Sequence, residues 1–100
     1  MKKIVLLCNA GMSTSLLVTN MEDYAKKMGY EYEINAYSIS EMNKRVPGAD
    51  YVILGPQVQY FKDKVKKVAT CPVSVVDMRT YGKMDGEAVL KQVRKDLGED

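Results

Sequence analysis

Residues 8 to 15 read Cys-Asn-Ala-Gly-Met-Ser-Thr-Ser. This stretch places a thiol, small residues with one glycine, and three consecutive hydroxyls where an apolar run ends and a helical pattern begins. Gly11 gives the loop access to unusual dihedrals. Successive backbone N–H groups of Asn9, Ala10, Gly11 and Met12 can form an anion-binding nest. The N-terminus of the helix that follows adds partial positive charge at the same point. Ser13, Thr14 and Ser15 offer hydroxyl donors to an anion and can also cap the helix. That field favours the thiolate of Cys8, the nucleophilic form. A thiolate facing a cradle for a tetrahedral anion suits phosphoryl transfer to sulfur.

Other residue types narrow the chemistry. The chain contains no histidine, which excludes a Ser-His-Asp triad, a His nucleophile and most zinc sites. The second cysteine, Cys71, forms no Cys-x-x-Cys pair with Cys8. It precedes Pro72 at the start of a strand, whereas Cys8 ends one. A strand's length separates the two by more than ~10 Å, too far for a disulfide, so Cys71 is expected to be a packing residue. No metal and no cofactor are expected. The net charge of +2, with cations scattered among acids, gives no basis for nucleic-acid binding.

The elements that position Cys8 follow from hydrophobic periodicity. Lys3 to Cys8 is a continuous apolar run, as in a parallel strand buried on both faces. Leu17, Met21, Tyr24, Ala25 and Met28 recur at helical spacing, and Gly29 follows as a C-terminal cap. Tyr30 to Tyr37 alternates as a strand. Ser38 with Glu41 reads as a capping box that opens a short helix before Pro47 and Gly48. Tyr51 to Leu54 is a second buried strand, broken by Gly55-Pro56. Val58, Phe61, Val65 and Val68 resume helical spacing, and Val73 to Val76 forms a fourth strand. Asp85 can cap a last helix whose inner face is Val89, Leu90, Val93 and Leu97, ended by Gly98.

Strands alternating with helices imply a parallel sheet covered on both faces. The expected architecture is α/β, one domain over residues 1–100, with a four-stranded flavodoxin-like sheet of order 2-1-3-4. Ligands in such sheets lie beyond the carboxyl ends of the strands at the switch point, here between strands 1 and 3, where the loops begin at Cys8 and Gly55. Gln57 in the second loop could reach the anion. A third loop, Asp77 to Lys83, supplies Asp77 as an acid or base, Arg79 and Lys83 as cations, and Tyr81 as a residue that could pack over the site. A solvated or packing role explains each of these four equally well. No apolar stretch of about 18 residues could span a bilayer. The run after Met1-Lys2-Lys3 is too short for a signal peptide, so a cytoplasmic protein is expected. No unaccounted apolar stripe calls for a second copy, and a monomer is expected.

Three blocks carry a resemblance: Cys8-Asn-Ala-Gly-Met-Ser-Thr-Ser-Leu-Leu-Val18, Leu54-Gly-Pro-Gln57 and Tyr81-Gly-Lys-Met-Asp-Gly86. In order and spacing they resemble the lactose/cellobiose-type enzyme IIB of the bacterial phosphoenolpyruvate-dependent sugar phosphotransferase system. The resemblance implies that Cys8 accepts a phosphoryl group from a phosphohistidine of a IIA protein. Cys8 would then donate it to a sugar held by the membrane-embedded IIC permease, with a β-linked disaccharide such as cellobiose or chitobiose as the implied sugar. The loop is also similar to that of low-molecular-weight tyrosine phosphatases, which have Cys, five residues, then Arg. Here Thr14 stands at the arginine position, and the loss of a bidentate guanidinium argues against efficient hydrolysis.

Overall fold

The computed structural model describes residues 1–9 and 12–99, with the side chains of Met12 and Ser13 outside that description. The elements in order are β1 (Lys2–Cys8), α1 (Met12–Met28), β2 (Tyr32–Ser38), a 3-10 turn (Ile39–Glu41), α2 (Met42–Arg45), β3 (Tyr51–Leu54), a longer 3-10 segment (Pro56–Phe61), α3 (Lys62–Val68), β4 (Val73–Val75), α4 (Met78–Gly82) and α5 (Gly86–Leu97). The sheet is wholly parallel with order β2-β1-β3-β4, as the alternation of elements predicts.

That order follows from two crossovers of the same hand running in opposite directions. The chain leaves β1 through α1 on one face and lands on one side of β1. It then passes through α2 on the other face and lands on the far side as β3. Right-handed crossovers force the change of face when the direction reverses. A cleft therefore opens beyond the carboxyl ends of β1 and β3.

Strand alternation divides the core in two. Ile4, Leu6, Ile34, Tyr51 and Ile53 face α1 and α5, where they meet Leu17, Met21, Leu90 and Val93. Val5, Leu7, Val52 and Leu54 face the other way, onto Val46, Val58 and Val65. β1 and β3 are buried on both faces, which is why they read as continuous apolar runs.

Both long helices end as their glycines predict. Gly29 takes φ 75°, its N–H reaches Lys26 O and the N–H of Tyr30 reaches Ala25 O, a Schellman closure. Gly98 repeats the pattern at the end of α5, through Lys95 O and Arg94 O. The closure delivers Glu99 into a cluster that ties the chain end to the sheet. Tyr32 Oη donates to Glu99 Oε1 at 2.5 Å, Lys2 Nζ lies 3.1 Å from Glu99 Oε2, and Arg94 stacks on the Tyr30 ring at 3.7 Å. Burial, with the Glu99 carboxylate beside it, pushes the Tyr32 hydroxyl up to about 12.

Two expectations need correction. Ser38 does cap a turn, accepting from Ser40 N, but Glu41 does not complete a capping box: its carboxylate pairs with Arg45 at 3.2 Å. The turn it opens is 3-10, followed by only four α-helical residues. Residues 78–82 are likewise not a loop but the helix α4, capped by Asp77, whose carboxylate accepts from Thr80 N at 3.1 Å.

The tightest backbone contact lies between α1 and α5. A Cβ placed on Gly86 would stand 2.5 Å from both Asn20 C and Met21 N. Gly86→Ala must therefore push α5 off α1, and we expect a loss of about 1–3 kcal/mol, the usual cost of overpacking. Urea unfolding at unchanged slope is the measurement. A loss below about 0.5 kcal/mol would show that the two helices separate freely.

Candidate functional site

Cys8 is the last residue of β1 and pairs in register with Ser38, the last residue of β2. Its parity matches Ile4 and Leu6, so its side chain belongs to the face that α1 covers. The thiol is 4% exposed and lies 3.7 Å from Tyr37 O, within reach of a weak S–H···O contact. Among the described residues it forms no disulfide, and neither does Cys71, which is half-buried and packs against the second core cluster as expected. Burial, with Asp50 nearby, raises the Cys71 thiol above its ordinary value, which disfavours its thiolate.

On the β3 side the chain comes unusually close. Gly55 donates its N–H to Leu7 O at 2.9 Å. A Cβ at Gly55 would stand 3.8 Å from Cys8 Cβ and 3.2 Å from Gln57 Oε1. Gln57 is exposed, and its amide and Cys8 thus flank the same glycine. Gln57 and Cys8 thus both lie against the Gly55 backbone. Gly55 matters for its lack of a side chain, and the Gly-Pro dipeptide, read as a turn, does not reveal that.

α1 begins at Met12, so the candidate hydroxyls fall in its first turn. The first four N–H groups of a helix have no partner within it, and here no acidic side chain competes for them. Ser15 is exposed, and its carbonyl accepts from Thr19 Oγ1 at 3.0 Å. Thr14 is fully buried, and its Oγ1 has no hydrogen-bond partner among the described residues. A buried hydroxyl without a partner costs about 1–3 kcal/mol, which an arriving acceptor could recover. Asn9 is exposed at the end of β1; Ala10 and Gly11, and the side chains of Met12 and Ser13, lie outside the described residues.

The segment after β4 takes the packing and solvated alternatives that its sequence left open. Tyr81 is 8% exposed and belongs to the core beneath α1 and α5. The Asp77 carboxyl lies below the ordinary carboxylate range because the side chain and backbone N–H of Thr80 bond to it. It is charged at neutral pH and acts as a helix cap. Arg79 and Lys83 are exposed, and among the described residues neither forms an ion pair. Asn20 Nδ2 donates to Met84 O at 2.8 Å, which anchors the strained positive-φ residue Met84 to α1. Asp85 then caps α5 through Ala88 N.

Residues 3–92 match the model of the lactose/cellobiose-specific IIB subunit family of the phosphotransferase system. The chain belongs to this family. It is 43% identical over 95 residues to the oligo-β-mannoside-specific EIIB component of Bacillus subtilis strain 168, covering 92% of each chain. It is 42% identical over 97 residues to the cellobiose-specific EIIB component of Lactococcus lactis subsp. lactis strain IL1403, covering 89% of this chain and 90% of that one. Among solved structures, the cellobiose-specific IIB component of Borrelia burgdorferi superposes with a TM-score of 0.79 at 32% identity, covering 97% of this chain and 92% of that one. The lactose-specific IIB domain of Streptococcus pneumoniae shares the fold, with a TM-score of 0.82 at 16% identity over 95% and 96% of the two chains. This IIB chain is thus a phosphotransferase-system component of the cellobiose/oligosaccharide type. No helix of its described residues is long and apolar enough to cross a membrane.

The unpartnered hydroxyl yields a stability prediction. Thr14→Val keeps the shape and removes the hydroxyl, so the isolated protein should be at least as stable as wild type in urea. A loss above about 1 kcal/mol would mean that Thr14 Oγ1 has a partner in the folded chain.

Proposed function

We propose that Cys8 is the phosphoryl carrier of this IIB protein, taking the group from a phosphohistidine of a IIA protein and passing it to a sugar bound by a IIC permease. The observation that carries this reading is the pairing of a buried strand-end thiol with a helix N-terminus whose buried Thr14 hydroxyl has no partner among the described residues. The Cys8 thiolate attacks phosphorus, the S–P bond forms, and the N–P bond breaks to release the imidazole. A sugar hydroxyl then attacks the phosphocysteine. The O–P bond forms as the S–P bond breaks, the hydroxyl proton passes to a base on the permease side, and the thiolate is restored.

In both steps charge develops on the three equatorial oxygens of the transferring group. The N–H groups from Asn9 to Ser15 and the hydroxyls of Ser13, Thr14 and Ser15 are the donors proposed to hold it. Gln57, beside Gly55, contributes a further amide. Arg79 and Lys83 stay in the role of peripheral cations, Asp77 in that of a cap, and Tyr81 in that of a core residue under the site. The chain works on the cytoplasmic side, as a monomer between IIA and IIC. Two of the relatives are named for β-linked sugars, oligo-β-mannoside and cellobiose, and one for the monosaccharide galactose; the first two favour a β-linked disaccharide, with cellobiose or chitobiose as the first sugars to test. With a buried threonine where tyrosine phosphatases have arginine, hydrolysis is disfavoured.

The test is intact mass after incubation with phosphoenolpyruvate, enzyme I, HPr and a matching IIA protein. Wild type and Cys71→Ala should each gain one phosphoryl group, and Cys8→Ser none while remaining folded. Transfer abolished in a folded Cys71→Ala, or an adduct on Cys8→Ser, would refute the assignment. Thr14→Val should slow uptake by about 100- to 1,000-fold, in line with loss of one transition-state donor. Release of phosphate from an aryl phosphate by wild type would instead mark a phosphatase.

A further inference from the structure

On the face opposite α1, an apolar groove of about 540 Å³ runs between the Ile39–Asn43 segment and α3. Its walls are Ile39, Met42, Phe61 and Val68, with Lys64 and Lys67 along one rim. The four apolar residues are half-buried: their inner sides complete the second core cluster, and their outer sides remain open. Tyr60 is 75% exposed and packs on the Phe61 ring with centroids 4.6 Å apart. Lys64 Nζ sits 5.5 Å from the centre of that ring.

The charge around the groove is one-sided. α3 carries Lys62, Lys64, Lys66 and Lys67 against Asp63 alone. Among the described residues none of these lysines is in an ion pair, and the nearby Glu41 is already taken by Arg45. Lys66 and Lys67 fall in the last turn, where cations complement the helix dipole, but Lys62 and Lys64 have no such explanation. Two of the groove's walls also follow the site along the chain. Ile39 directly follows Ser38, the register partner of Cys8, and the Pro56–Phe61 segment descends from Gly55.

We propose that this groove docks an amphipathic helix of the phosphoryl-donor protein, its apolar stripe seated on Met42 and Phe61 and its acidic residues meeting Lys64 and Lys67. The inference rests on the carrier reading of Cys8 and adds where the donor binds. A concave groove between two helical segments fits a helix ridge, whereas a lipid surface would need a protruding apolar face. The donor rather than the permease is assigned because cytoplasmic loops of membrane proteins carry an excess of Lys and Arg, which this rim would repel. Lysines without ion pairs along this rim would steer an acidic donor during encounter.

The experiment follows phosphoryl uptake from phosphorylated IIA at several donor concentrations. It compares wild type, K64E/K67E, and K26E/K27E, which makes the same charge change in the last turn of α1. We expect K64E/K67E to need about tenfold more donor for half-maximal rate, with its saturated rate unchanged and K26E/K27E like wild type. Raising ionic strength from about 0.05 to about 0.3 M should slow wild type and barely affect K64E/K67E. Titration of labelled Cys8→Ser protein with IIA should shift amides of residues 39–43 and 61–68. Equal behaviour of the two double variants, or transfer without shifts in those segments, overturns the docking site while leaving the carrier intact. No adduct even on wild type overturns the carrier reading, and this inference with it.

Discussion

The approach of α5 to α1 at Gly86 is the contact on which the geometry around Cys8 depends. Backbone meets backbone there, with room for a hydrogen and no more. The contact sets how deeply α1 lies on the sheet, and with it the height of its first turn relative to the end of β1. Asn20 adds a second tie by holding Met84 O. Both come from the middle of α1, about two turns from Thr14. A helix clamped at mid-length by backbone contact has little freedom to tilt, so its N-terminus is held where the thiol ends its strand. Preorganisation of this kind lets donors stabilise a transferring group without being reorganised at the moment of reaction.

The block Tyr81 to Gly86 acquires a physical meaning from the same contact. In the sequence it reads as a loop whose cations and tyrosine suit chemistry and solvation or packing equally well. In the fold Tyr81 fills the core, Met84 turns the chain at positive φ, Asp85 caps α5 and Gly86 admits α1. Its residue types are demanded by packing and turn geometry. The distance between a site residue and a residue that builds the site was not legible, because spacing along the chain does not tell which side of a turn meets solvent.

The sheet was legible for a simple reason: β1 and β3, buried on both faces, have no polar alternation to confuse with a helix. The two long helices were marked by periodicity and by glycines whose dihedrals the fold uses. The short elements were not. α4 has five residues and no repeat of an apolar face, so its only signal is the Asp77 to Thr80 spacing, which a turn shares. Ser38 and Glu41 have the capping-box spacing, but Arg45 lies one turn on and takes the carboxylate. At the site, residue types pointed to Cys8 and the hydroxyls. They could not distinguish the exposed Ser15 from the buried Thr14, nor show that Gln57 and Cys8 both close on the Gly55 backbone.

The difference between carrying a phosphoryl group and hydrolysing it then comes down to what surrounds the thiol. Hydrolysis needs a water oriented in line and a group to take its proton. The chain has no histidine, and the Asp77 carboxylate is committed to the N-terminus of α4. An arginine at position 14 would clamp the group and draw negative charge from it, helping any nucleophile, water included. A threonine at that position offers one neutral hydroxyl and fits beneath the helix turn, fully enclosed. Neutral donors hold the group without making it generally electrophilic, so phosphorus waits for a nucleophile that a partner brings. Under the proposed carrier reading, the selectivity of transfer lies in docking, and a phosphocysteine would persist because the IIB chain alone supplies only half of the reaction.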